Sequence, residues 1–130
     1  LIPKTSYDKA KVDEWCCFSL MELDCLGIYT LRRHESPENL GLSNLYGKAP
    51  NAVKTAREHF NKMIQSCEKF VPKNSWLLGD SPSVADIIFT SCLINCDVFN
   101  IEIKSDNILG YLENVKKRKQ YYKAYKDCYE

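Results

Sequence analysis

Apolar residues recur at helical spacing along almost the whole chain. Val12, Trp15, Ser19, Leu20, Leu23 and Leu26 fall three to four apart, which predicts one long helix from about Tyr7 or Asp8 to about Arg33. Ser6 and Asp8 are its candidate caps. Gly27 marks a bend or a close helix contact. Residues 34–46 carry Pro37, Gly41 and the pair Ser43-Asn44, and read as a loop with one short helical turn. Pro50 suits a first helical position, where its missing N–H has no partner to lose. From there Val53, Ala56, Phe60, Met63, Ile64, Cys67 and Phe70 trace a single apolar stripe that stops before Pro72. Lys54, Arg57, Glu58, Lys62 and Glu68 occupy the opposite, solvated face.

Residues 73–82 form a connector in which Trp76-Leu77-Leu78 is followed by the turn Gly79-Asp80. The next helix, Val84 to about Val98, is apolar nearly all round: Val84, Ala85, Ile87, Ile88, Phe89, Cys92, Leu93, Ile94 and Cys96. A helix with so little polar surface belongs at the centre of a bundle. A further helix starts near Ser105 or Asp106 and carries Ile108, Leu109, Leu112 and Val115. The basic run 116–119 follows, then a last helix with Tyr121, Tyr122, Ala124, Tyr125 and Tyr129. No stretch shows the strict alternation of a half-buried strand. The expected fold is all-α, five to six helices around the 84–98 helix, with residues 1–130 as one domain.

Composition narrows the function classes. With 45% hydrophobic and 27% charged residues the chain reads as globular, not disordered. A net charge of +1 provides no field for nucleic acid or an anionic membrane. The basic run 116–119 lacks interleaved aromatics and reads as a solvated helix end. No apolar run approaches the ~20 residues of a membrane span, and no signal segment opens the chain. A cytoplasmic location is the expectation. The seven cysteines are odd in number and sit mostly in apolar helical patterns, so they read as reduced core thiols. Cys92 and Cys96 share a helix face, but two thiols without further ligands make a poor metal site; no metal is expected. Cys16 is assigned to the core and Cys17 to an interface.

The residues before the central helix carry a specific device. Ser83 stands at the N-cap and Asp86 three residues on. The serine oxygen can accept from the third helical N–H, and the carboxylate can reach back to the cap's own N–H. An anion there also sits at the positive end of the helix dipole. An exposed cap contributes about 1 kcal/mol. At a buried helix start each orphaned donor costs ~1–3 kcal/mol, so Ser83 and Asp86 should weigh more.

Leu77-Leu78-Gly79-Asp80 followed by Ser83-Val84-Ala85-Asp86-Ile87 resembles the start of the core helix in glutathione transferase C-terminal domains. Val12-Asp13-Glu14-Trp15 with Phe18 resembles the opening of that domain's first helix. Tyr29-Thr30-Leu31-Arg32-Arg33-His34, then Leu45-Tyr46-Gly47 and Ala49-Pro50, resembles a bacterial subgroup of the family. Tyr111-Leu112, Arg118 and Tyr121-Tyr122-Lys123-Ala124 resemble the closing segment, with Lys119 and Gln120 where the family has Pro and Ala.

The resemblance implies a two-domain enzyme. In the family a thioredoxin-like N-terminal domain binds glutathione and supplies the thiolate-stabilising residue. The helical domain walls part of the electrophile pocket and makes dimer contacts. No βαβ pattern occurs in this chain, so it is expected to lack the glutathione site and to be inactive alone. Glutathione is then the co-substrate of the longer protein. The implied partners are a thioredoxin-like domain, a second copy of the chain and a small electrophile. By position the resemblance places Ser19, Leu23, Tyr29, Arg33 and Cys96 in the pocket. It assigns Ser83 and Asp86 a structural role and no residue here a catalytic one. Arg33 could pair with a carboxylate, but its position favours the plainer role of a cation at a helix C-terminus. The alternative function is a non-catalytic interaction module of the kind found in translation-factor and synthetase complexes.

Overall fold

The computed structural model describes residues 1–35 and 41–129. Pro37 falls outside the described residues. The first helical run is continuous and has three parts: α1 (Ser6–Phe18), a π-helical segment (Ser19–Ile28) and α2 (Tyr29–His34). A single turn, α3 (Ser43–Tyr46), precedes α4 (Pro50–Cys67), which tightens into a 3₁₀ turn at Glu68–Phe70. Then come α5 (Val84–Val98), α6 (Asp106–Lys116) and α7 (Lys119–Tyr129). These are six helical runs, and no strand pairs form a sheet among the described residues.

The cap of α1 is Thr5, not Ser6 or Asp8. Its hydroxyl oxygen accepts from the Asp8 N–H at 3.1 Å and its hydroxyl donates to the Asp8 carboxylate at 2.6 Å. The π segment changes the expected face. Its wider i→i+5 turn keeps residues four apart in register, so Ser19, Leu23, Gly27 and Leu31 point inward. Leu20 and Leu26, expected on the buried stripe, are about half exposed. Gly27 is a close contact: a Cβ there would lie 2.9 Å from Cδ2 of Phe60, a fully buried ring on α4.

α4 begins with Pro50 at its first turn, as expected. Ala56, Phe60, Ile64 and Cys67 are buried, with Val53 and Met63 packed beside them. Phe70 departs from the stripe. The 3₁₀ turn rotates it outward and leaves it 64% exposed. Arg57 pairs with Glu35 at 2.7 Å, tying α4 to the first run, and His59 Nε2 lies 2.9 Å from Glu22 Oε2 without a hydrogen bond.

α5 is the central helix. It packs against α1, the π segment and α6. Ala85, Phe89, Cys92, Leu93 and Cys96 are buried in the core. Burial pushes the Cys67, Cys92 and Cys96 thiols up to about 12. The assignment of the cysteines to the core holds for those three. Cys16 is half-buried, and Cys17 and Cys25 are exposed. Ser105 caps α6, its hydroxyl oxygen accepting from the Ile108 N–H at 3.4 Å. No helix among the described residues is long and apolar enough to cross a membrane.

Candidate functional site

The junction at the start of α5 is the most highly connected polar feature of the fold. Trp76 and Gly79 exchange backbone bonds at 3.2 and 3.3 Å, which folds the connector back on itself. Gly79 has φ +130°, a conformation that disfavours any side chain. This turn aims the Leu77 N–H at Asp86 Oδ1, 2.9 Å away. Tyr111 of α6 donates its hydroxyl to the same oxygen at 2.9 Å. Asp86 Oδ2 accepts the Ser83 N–H at 2.7 Å and the Ser83 hydroxyl at 2.9 Å. The capping box read from Ser83 and Asp86 is thus present, and it extends further than a box. One buried carboxylate takes four donors from three segments. Burial, reinforced by the Asp86 charge, pushes the Tyr111 phenol above its usual value, so it stays a donor.

Tyr111 opens onto an aromatic series. Its ring lies 5.8 Å from Phe89, Phe89 lies 5.3 Å from Trp15, and Trp15 lies 5.9 Å from Phe18. The last pairs are edge-on, the arrangement ring quadrupoles favour. Trp15 and Phe18 also line a shallow groove of about 310 Å³ with Phe70, Cys67 and Lys11.

A larger groove of about 530 Å³ lies along α5 on the side facing α7. Ile87, Thr90, Ser91, Ile94 and Asn95 line one wall, at the i, i+3, i+4 spacing of a single helix face. Tyr121 and Ala124 of α7 line the other, and Trp76, Val115 and Arg118 close it. Ile87 is 54% exposed. The Leu1 carbonyl accepts from the Val84 N–H at 3.1 Å, so the first residue sits at the groove's edge. The guanidinium of Arg118 stacks over Trp76 at 5.0 Å.

The five pocket positions from the sequence do not converge on either groove. Ser19 and Leu23 have no exposed surface and Cys96 has 1%. Ser19 donates to the Trp15 carbonyl at 2.7 Å, and the Cys92 thiol points at the Ser19 carbonyl at 3.5 Å. These three side chains pack the core. Tyr29 is exposed, and Arg33 is exposed with its guanidinium 4.3 Å above the Tyr46 ring. Next to it, His34 Nδ1 lies 3.0 Å from the Gly47 carbonyl, which can only accept, so that nitrogen carries the proton. Cys92 and Cys96 are both buried, and among the described residues no three His, Cys, Asp or Glu side chains gather as a metal set.

The groove residues Trp76, Ile87, Ile94, Arg118 and Tyr121 were read from the sequence as structural positions and not assigned to a site. One signal pointed to them. A helix apolar on every side needs cover on every side, and among the described residues the helices leave Ile87 exposed and Ile94 half-buried on α5.

The model of the glutathione S-transferase C-terminal domain family matches residues 41–127. No curated protein matches the sequence. Among solved structures, a glutathione S-transferase domain-containing protein from Marinobacter aquaeolei superposes with a TM-score of 0.76 at 18% identity. The match covers 93% of this chain and 59% of that one, so this chain spans about three fifths of its structural relative's length. The family match extends from just ahead of α3 into α7 and takes in the Ser83–Asp86 junction; the chain belongs to the glutathione S-transferase C-terminal domain family.

Proposed function

We propose that this domain is the helical half of a two-domain glutathione transferase-type protein. In this reading a thioredoxin-like domain covers the α5–α7 groove and binds glutathione. The helical half supports it, walls the site for a small electrophile and contributes contacts to a homodimer. The observation that carries the reading is the exposed Ile87 and the half-buried Ile94 on one face of the central helix, along the groove. Burying such a face is favourable by roughly 25 cal/mol per Å², and contiguous exposed apolar surface rimmed by polar residues marks interaction sites. The structural relative has chain beyond the portion matched here. In a longer polypeptide, chain preceding Leu1 would enter at the groove's edge, because the Leu1 carbonyl is bonded to Val84 there.

Of the five sequence candidates, Tyr29 and Arg33 have the exposed surface that contact with a small molecule requires. Arg33 suits a carboxylate, at the cost of its stacking on Tyr46. The test is glutathione-affinity capture of the protein made with its native upstream sequence. Retention and elution by free glutathione are expected, together with conjugation to a generic aryl halide. The 130-residue chain alone should do neither. Failure of the longer protein to bind, or conjugation by the short chain, would overturn the reading.

A further inference from the structure

Six of the chain's 18 lysines and arginines lie within residues 116–126, and none of its 17 acids does. The net charge of +1 averages this excess away. Charges beyond about 10 Å are screened, so a partner meets the local field and not the mean. Lys116 ends α6 and Lys117 caps it. On α7, Lys119, Tyr122, Lys123 and Lys126 stand at the i, i+3, i+4, i+7 spacing of one helix face. All six side chains are exposed, Tyr122 to 60%. Tyr121 and Ala124 turn toward the α5–α7 groove, so this face points away from it. Lys116 pairs with Glu113 at 3.7 Å, while Lys117, Lys119 and Lys123 meet no carboxylate among the described residues. A cation from elsewhere in the chain joins them. The Lys73 stem crosses α6 at Gly110, where a Cβ would overlap it, and Gly110 shares a helix face with Lys117, seven residues on.

We infer that the outer face of α7, together with the α6–α7 corner, docks on an anionic phospholipid surface. Shape selects this partner among polyanions. Single-stranded nucleic acid is held in basic grooves with stacking platforms, and neither groove of this domain takes in any of these lysines. A convex basic helix instead lies along a plane of headgroups, where each lysine reaches the negative surface potential. A tyrosine beside the lysines suits the headgroup level. The contact is peripheral and electrostatic, because the apolar side of α7 stays turned to the groove. It needs no spanning helix, and it stands apart from the two-domain reading.

The test sediments the 130-residue chain at low salt with vesicles of phosphatidylcholine alone, or with roughly 30% phosphatidylserine added as the anionic lipid. Binding to the anionic vesicles only is expected, and it should vanish at about 0.5 M salt. Each lysine near such a surface contributes about fivefold to partitioning. Lys119→Gln with Lys123→Gln should therefore weaken binding about 25-fold. Lys9→Gln with Lys62→Gln removes the same charge from exposed positions on α1 and α4 and should leave binding nearly unchanged. All four positions are exposed, so folding should survive both double variants. Equal binding to neutral vesicles, no binding to the anionic ones, or equal losses in the two double variants would each overturn the inference. So would tighter binding to a single-stranded oligonucleotide at matched phosphate, which would make the partner a nucleic acid. The protein made with its native upstream sequence should bind the anionic vesicles as tightly as the short chain, and loss of binding there would also overturn it. Failure of glutathione capture would sink the two-domain reading and leave this one standing.

Discussion

Asp86 offers a quantitative test of how this bundle is held together. Replacing it with alanine removes the acceptor for four donors: the N–H groups of Leu77 and Ser83 and the hydroxyls of Ser83 and Tyr111. The two hydroxyls can turn toward other acceptors, but the two backbone donors are fixed by the turn and the helix start. Each orphaned buried donor costs ~1–3 kcal/mol. Asp86→Ala should therefore lose ~3–5 kcal/mol, a large part of the 5–15 kcal/mol that a domain of this size commands. Tyr111→Phe removes one donor and leaves Oδ1 bonded to the Leu77 N–H, so it should lose ~1.5–2 kcal/mol. In the Asp86→Ala background Tyr111→Phe should cost far less, because the phenol has already lost its acceptor. Urea unfolding followed by far-UV circular dichroism measures all three. At about 3–5 °C per kcal/mol, thermal melts should agree in rank. A loss of ~1 kcal/mol or less for Asp86→Ala would mean an ordinary exposed cap. Additive losses in the double variant would mean that Tyr111 does not act through Asp86. Either result would refute the account of the junction.

Gly27→Ala should destabilise by ~1–2 kcal/mol despite the better helix propensity of alanine, because the new methyl meets the buried Phe60 ring; a raised melting temperature would disprove the close contact. Phe70→Ser should stay within about 0.5 kcal/mol of the parent, since the 3₁₀ turn holds that ring in solvent, whereas a core position would lose ~3 kcal/mol or more. Cys17 and Cys25 should react promptly with an aromatic disulfide reagent at pH 8, and Cys67, Cys92 and Cys96 only after denaturation. Those three thiols rise on folding from 9.0 to about 12, so the folded state holds their protons more tightly. The stabilisation is complete below pH 9 and is lost as pH climbs toward 12, which pH-dependent urea midpoints will follow. An uncovered apolar groove should make the 130-residue chain self-associate, and Ile87→Ser should reduce that in sedimentation velocity while leaving folding unchanged within about 0.5 kcal/mol.

Helix number, order and the central position of α5 were legible because apolar spacing and caps act locally. Pro50 and Ser83 mark their helix starts, and Ser105 marks a third, in both sequence and structure. Three of the misplaced residues share one cause. Leu20, Leu26 and Phe70 were assigned inward on a uniform 3.6-residue period, and the chain changes period at both places. Ser19–Ile28 widens to π geometry against the Gly27–Phe60 contact, and Glu68–Phe70 tightens to 3₁₀ before Pro72. Those shifts follow from tertiary packing, which no window of sequence contains. The capping box was legible for the same reason that the caps were. Its link to Tyr111, 25 residues on, was not. The groove lay in view as an excess of apolar character on α5, but its walls come from Trp76, Arg118 and Tyr121, far apart in the chain.

The sequence distances within the Asp86 junction bear on how the chain folds. Its bonds close loops of three, nine and 25 residues. Loop closure of that length is cheap, since the entropy grows only as the logarithm of loop size. The link from Cys92 to the Ser19 carbonyl must close 73 residues. The segment from Trp76 through Tyr111 can therefore organise as a local unit around one carboxylate, and the first helical run, tied to α4 by the 22-residue loop of the Arg57–Glu35 pair, docks onto it later. Substitutions at Ser83 and Tyr111 should slow refolding, while those at Gly27 should mainly speed unfolding. The junction would then set the rate at which the domain forms as well as the stability of the finished fold.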